Sequence, residues 1–363
     1  MKPNRLFLFA VLAAGFIPTT ALRAWDYENH RIVNQLALAA LPADFPAFVH
    51  EPAAAERVAF LAGEPDRWRN IPDGLLRQSG GSWTDHFCDI EQIPEAGLDL
   101  AAVPSFRYDF MVLFAAGRAA HADKFPFIDP EKNSDHTREW PGFAPWAITE
   151  YYGRLKSAFA YLRVFQELGT PEEIANAQAN VLYTMGVMGH YVGDCAQPLH
   201  TTVHHNGWVG ANPNGYTTWP GFHSWIDGGF STKAGITFSG LAPRITPAQP
   251  LALAPRTDGR DPMFVAVMDY LFAQNKLVEP LYQLEKAGKL SDELERAGKF
   301  HQDTLPVNEE GRTFIERQLL AGGKMLGAIW VTAWRSAPPD TYLRAQLLKR
   351  QGMAAPAPAK GAP

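Results

Sequence analysis

The residues from Gly189 to His200, Gly-His-Tyr-Val-Gly-Asp-Cys-Ala-Gln-Pro-Leu-His, constrain this chain more than any other stretch. On a helix, His190 and Asp194 stand one turn apart and project from the same face. Pro198 cannot continue that helix, so His200 is expected just past its end, turned back toward the same region. Two imidazoles and a carboxylate this close form half of a divalent-metal site. The same residues also suit a helix whose buried polar groups are merely hydrogen-bonded. The rest of the chain decides between the two.

The spacing of apolar residues predicts helix almost throughout. Trp25 to Leu41 reads as a helix with Ile32, Val33, Leu36, Leu38 and Leu41 on its apolar side, stopped by Pro42. A second covers Ala53 to Trp68. Residues 94–146 mix Pro, Asp, Lys, His and aromatics. They read as a long surface excursion, a lid or rim, with one short helix near Tyr108 to Ala120. Trp146 to Leu168 is amphipathic and ends at Gly169. Thr170-Pro171-Glu172-Glu173 then opens the next helix with a capping box and proline in its first turn. That helix leads into His190 and Asp194, and its Val181 to Val192 half is apolar all round, which predicts burial at the centre.

Thr201 to Phe222 reads as a loop. His223-Ser224-Trp225-Ile226-Asp227 repeats the His-x-x-x-Asp spacing on a short helical piece that Gly228-Gly229 should end. Helical segments near Met263 to Ala287 and Gly311 to Trp334 follow, then an Ala/Pro/Gly-rich tail over 351–363 expected to be disordered. Strand signals are few and no internal repeat appears. The expected fold is all-α, one mainly helical domain over 25–350 with long loops.

Composition limits the function classes. Two cysteines exclude a disulfide framework and a Cys-rich structural zinc site. A formal net charge of -5 with no basic cluster gives no support to stable duplex-DNA binding. Residues 1–24 read as a secretory signal peptide: Lys2 and Arg5, an apolar run from Leu6 to Ile17, and a small-residue exit from Ala21 to Ala24, with Leu22 departing from the small residue preferred near the cut. Its removal takes Lys2, Arg5 and Arg23 from 33 basic residues and none from 38 acidic ones, leaving 30 against 38, a net of -8. Several divalent cations would offset much of that. No second long apolar run occurs, so no transmembrane segment is expected. The absence of any Asn-x-Ser/Thr acceptor leans toward a bacterial periplasmic or secreted protein. Cleavage after Ala24 would make Trp25 the new N-terminus.

Five of the eleven histidines fall into a pattern with carboxylates: His30, His86, His190, His200 and His223, with Asp66, Asp194 and Asp227. Imidazole and carboxylate together suit zinc without any thiolate. With Trp25 in front, the ordered set resembles the trinuclear-zinc superfamily that contains zinc-dependent phospholipases C and single-strand-specific nucleases. There a mature N-terminal Trp is followed by His, Asp, His, His-x3-Asp-x5-His and His-x3-Asp/Glu. The match spans about Trp25 to Gly229, and Gln197-Pro198-Leu199-His200 is also typical of the family.

The resemblance implies three zinc ions. One would be held by Asp66, His86, His190 and Asp194, a second by the Trp25 amine and carbonyl, His30 and a bridging Asp194, and a third by His200, His223 and Asp227. It implies attack on phosphorus by zinc-activated hydroxide, with Asp66 orienting the water. Arg69 matches a basic residue beside the phosphate, against the alternative of an ordinary surface Arg. Phe87 matches an aromatic that stacks a nucleobase, and Asp89 an acceptor for a base edge; the alternatives are a core aromatic and a helix cap. His204 and His205 either line the third site or are simply exposed. Cys88 and Cys195 form either a disulfide or two buried thiols.

The chain departs from the family at Asp26, where the nucleases carry Gly, in the long His86-to-His190 interval, and in lacking the Gly-Gly-Asn signature after His200. Short Trp25-to-His30 spacing, a wide His200-to-His223 interval and Asp at 227 favour the nuclease (3'-nucleotidase-type) branch. The expectation is therefore an exported monomeric phosphodiesterase acting on single-stranded nucleic acid or nucleotides. A phospholipase C acting on phospholipid head groups is the alternative, and a non-catalytic zinc-binding protein a third reading.

Overall fold

The computed structural model describes residues 25–78, 83–297 and 306–353, whose regular structure is all helical, with no strand among them. The expected signal peptide and nearly all of the expected tail lie outside the described residues. No described helix is long and apolar enough to cross a membrane. The principal helices are α1 (Tyr27–Ala39), α2 (Pro52–Leu61), α3 (Glu64–Asn70), α4 (Arg107–Ala120), α5 (Ala144–Leu168), α6 (Pro171–Ala196), α7 (Pro262–Asn275), α8 (Val278–Lys286), α9 (Glu309–Ser336) and α10 (Thr341–Arg350).

Helix α6 is the centre. The expected capping box at Thr170 and Glu173 opens it, and every residue from Met185 to Ala196 is buried. Helices α1, α2, α5 and α9 all pack on it. Close approach depends on small residues facing its neighbours. A Cβ at Gly189 would stand 1.7 Å from Asn34 Oδ1. Asn34 cannot yield, because its amide donates to the Val58 carbonyl at 2.8 Å and the Gly186 carbonyl at 3.0 Å. Gly189→Ala is therefore expected to destabilise the protein by about 1–3 kcal/mol in urea unfolding. Gly153→Ala, on an exposed part of α5 with nothing within 4 Å of the new Cβ, should be neutral or stabilising. Equal stability of the two variants would contradict this packing.

Four expectations need correction. The Ala53–Trp68 helix is two helices, α2 and α3, because Pro65 has no N–H to continue the first and Gly63 lies too close to the Tyr27 ring for any Cβ (2.6 Å). The Met263–Ala287 segment likewise breaks at Lys276-Leu277, with Pro280 in the first turn of α8. Gly228-Gly229 does not end the His223 segment. The chain passes through a π-helical turn, Trp225–Gly229, into a further turn, Phe230–Lys233, and the missing Gly228 side chain makes room for Asp26, whose Oδ2 would lie 2.3 Å from a Cβ.

The fourth concerns residues 94–146, which are more than a rim. Helix α4 falls where expected, but its Phe110 and Phe114 are fully buried, and Phe110 stacks on Trp146 at 4.3 Å within a cluster that includes Phe143. Among the principal helices, one lies where none was expected. Helix α10, rich in charge, is tied back by Arg344 to Glu167 and by Arg350 to Glu173.

Candidate metal centre

All of the expected ligand side chains converge at the C-terminal end of α6. His190 and Asp194 come from its last turns, His30 from α1, and Asp66 from α3. His86 ends a 3-10 turn, Trp83–His86, and His200 lies in the 3-10 turn Pro198–Thr201 that Pro198 starts. His223 and Asp227 flank the start of the π-helical turn. Three groups result whose donor atoms lie within 4.8 Å of one another: His30, His190 and Asp194; Asp66, His86 and His190; His200, His223 and Asp227. Several metal ions could be held here.

Asp194 faces two ways. Its Oδ1 lies 3.4 Å from His30 Nε2, and its Oδ2 lies 3.1 Å from His86 Nδ1 and 3.3 Å from His190 Nε2. Asp66 Oδ1 is 3.9 Å from His190 Nε2 and 4.0 Å from His86 Nδ1. In the third group His223 Nε2 is 3.0 Å from His200 Nε2 and 3.2 Å from Asp227 Oδ2.

Main-chain carbonyls set the ring orientations. His190 Nδ1 bonds to the Ala62 carbonyl at 2.7 Å, at the break between α2 and α3, and His200 Nδ1 bonds to the His86 carbonyl at 2.7 Å. A carbonyl oxygen can only accept, so in both rings Nδ1 carries the proton and Nε2 is left bare for a ligand. The segments of His86 and His200 also lock each other, since the Cys88 N–H donates to the His200 carbonyl at 2.9 Å. His30 is held differently. Gly193 lets its ring seat with Nδ1 3.1 Å from where a Cβ would stand, and it stacks on His190 at 3.8 Å.

The donor chemistry fits divalent cations. Both nitrogens of His30, Oδ1 of Asp66, Oδ1 of Asp194 and Oδ2 of Asp227 are buried without a hydrogen-bond partner, an arrangement that is costly unless something else binds them. Burial pulls His30, His86 and His223 well below the ordinary histidine range, His190 down to about 4 and His200 to about 3. It pushes the carboxyls of Asp194 and Asp227 well up. Neutral imidazoles are what a metal needs, and cations would return the carboxyls to their charged form.

Trp25 is fully buried, and its indole N–H donates to the Gly193 carbonyl at 2.8 Å, next to Asp194. The Asp26 N–H donates to the Asp227 carbonyl at 3.0 Å, so the start of the described chain is tied to the third group. Asp26, a departure at the level of sequence, caps α1 by accepting the Asn29 N–H at 2.9 Å. The Asp-x-x-Asn pattern ahead of the helix was the signal for it.

Arg69 is buried rather than an ordinary surface Arg, with its guanidinium 2.7 Å from Asp66 Oδ1 and the Trp83 ring 5.6 Å away. Phe87 is half-buried and outside the hydrophobic core. Asp89 caps no helix. It is buried, Gln92 donates to its Oδ2 at 3.3 Å, and its Oδ1 has no hydrogen-bond partner. Cys88 and Cys195 are both free, buried thiols. His204 stacks flat on Trp208 at 3.9 Å, while the His205 ring lies 5.9 Å from that of His223. Comparison with protein-family models, curated proteins and solved structures gave no match.

Proposed function

We propose that this protein is an exported zinc phosphoesterase that hydrolyses single-stranded nucleic acid or 3'-nucleotides, with three zinc ions held by Trp25, His30, Asp66, His86, His190, Asp194, His200, His223 and Asp227. The observation that carries the phosphate reading is Arg69. A guanidinium buried beside clusters suited to divalent cations adds positive charge where it is least welcome; Asp66 offsets part of it, and an anionic substrate would offset the rest. Its Nε has no hydrogen-bond partner, and Asp66 and Trp83 hold it in place. The Asp66 Oδ1 that it meets lies 4.0 Å from His86 Nδ1 and 3.9 Å from His190 Nε2, so Arg69 borders that group.

Zinc bound here supplies Lewis acidity, acidifying water and stabilising charge that builds on phosphate oxygens. The chain's own residues do the rest. Arg69 binds and orients the phosphate, and Asp66, at the edge of the cluster, positions the attacking water. Half-buried Phe87, next to His86, offers a stacking face, and the unpartnered Asp89 oxygen accepts from a base edge. The order of the nine ligand positions, shared with the zinc-dependent phospholipase C and single-strand nuclease superfamily, supports the same chemistry, and their spacings support its nuclease branch.

A second reading, a phospholipase C acting on head groups, is favoured by one observation. Phe106, Tyr108, Val112 and Phe127 are 70%, 81%, 70% and 87% exposed on the 94–146 segment. The deciding experiment presents zinc-loaded protein beginning at Trp25 with single-stranded DNA, RNA, 3'-nucleotides and phosphatidylcholine vesicles. Cleavage of the nucleic-acid substrates, lost in Arg69→Ala, is expected. Hydrolysis of phosphatidylcholine alone would replace the first reading with the second, and zinc binding without any hydrolysis would leave a non-catalytic metal protein.

A further inference from the structure

The third group of ligands has a neighbour that the ligand pattern does not include. His205 lies on the loop after His200, its ring centre 5.9 Å from that of His223. Its Nδ1 faces the Thr202 carbonyl at 3.2 Å, so the proton sits on Nδ1 and Nε2 is bare. This is the device that orients His190 and His200, here repeated on a residue outside the donor set.

The loop is fixed in place. Glu91 accepts the Thr202 hydroxyl at 2.6 Å and the Val203 N–H at 3.3 Å, and Tyr282 bonds to the His204 carbonyl. Adjacent His204 is turned to other work, stacked on Trp208 and accepting the Val209 N–H at 3.2 Å. On the Nδ1 side of His205, Asp89 Oδ1 stands 4.0 Å away and favours the same tautomer. Burial also favours a neutral ring, against the opposing pull of the Thr202 carbonyl and Glu91.

We propose that His205 is a positioning residue for the His200–His223–Asp227 site, its bare Nε2 accepting a hydrogen bond from a water that completes that site. The inference rests on the trinuclear reading above. Groups that orient metal-site donors typically contribute about 10–100-fold to metal affinity.

The test is zinc titration of the full chain beginning at Trp25 against a chromogenic chelator, for wild type, His205→Phe and His205→Gln. Phenylalanine keeps the ring shape without an acceptor, and glutamine returns an acceptor oxygen. One of three zinc affinities should fall roughly 10–100-fold in His205→Phe, with the other two unchanged, and His205→Gln should recover most of the loss. Melting of the chelator-stripped proteins checks folding, and His205→Ala takes the place of a phenylalanine that does not fit. Wild-type zinc affinity in the Phe and Ala variants, or a loss in Gln as large as in Phe, overturns the proposal. Fewer than three zinc ions on the wild type would instead overturn the trinuclear reading, so the two failures are distinct.

Discussion

On the trinuclear reading, Asp194→Asn is expected to leave one tightly bound zinc out of three, and to abolish the proposed phosphoester hydrolysis. The carboxylate is shared: one oxygen lies 3.4 Å from His30 Nε2 and the other 3.1 Å from His86 Nδ1 and 3.3 Å from His190 Nε2. An amide keeps one acceptor, replaces the other with a donor aimed at bare ring nitrogens, and removes the charge. Two sites weaken together, whereas Asp227→Asn should cost only one ion. Loss of a single electrostatic stabiliser typically lowers turnover by about 10²–10³-fold, and losing two metals should exceed that.

Elemental analysis and rates on single-stranded DNA read the result, and three retained zinc ions in Asp194→Asn would refute the bridge. The stripped protein gives a second readout. Burial pushes the Asp194 carboxyl well up, so above the ordinary carboxylate range its ionisation opposes folding when no metal is present. Metal-free Asp194→Asn should therefore resist urea at neutral pH better than the metal-free wild type.

The second large effect concerns the start of the chain. A protein carrying one extra residue ahead of Trp25 should lose one zinc and most of its activity. Chelation by an α-amine needs a free, deprotonated nitrogen, and the unperturbed group has a pKa of about 7.7–8.0. A peptide N–H in that place is a poor donor. The fully buried Trp25 leaves little freedom to compensate, since its indole is fixed to the Gly193 carbonyl at 2.8 Å and the next N–H to Asp227 at 3.0 Å. Comparing zinc content and rate in proteins starting at Trp25 and at Ala24 measures it. Identical zinc content in both would remove Trp25 from the ligand set.

Much of this arrangement is legible in the residues because ligand chemistry restricts residue type. His190, Asp194 and His200 stand out by spacing, though the other histidines and carboxylates were needed to set a metal site above a merely hydrogen-bonded helix, and the all-α character follows from periodicity. The breaks at Gly63 and Lys276 were harder to see, since apolar spacing continues across both and only proline chemistry interrupts it. Residues 94–146 misled by composition: their mixture of Pro, charged and aromatic residues hides buried Phe110, whose partners Phe143 and Trp146 lie more than thirty residues on, and Phe114, which meets Phe125 and Trp140. Helix α10 was obscured by its charge, which serves ion pairs to α5 and α6. His205 could not be separated from His204 by sequence, because the difference lies in which way a fixed loop turns each ring.

The carbonyls of Ala62, His86 and Thr202 have a consequence for any mutational survey of this protein. An alanine scan deletes side chains and leaves these oxygens where they are. Such a scan would find the proposed ligands in sharp relief, His86 among them, and would pass over the carbonyls that aim the rings. Damage to the aiming layer would come instead from changes that move the backbone, such as a proline in the turn after His200 or a side chain at Gly63. Variation mapped across this molecule should therefore fall into two kinds, loss at the histidines and aspartates themselves, and loss at positions with no functional group at all.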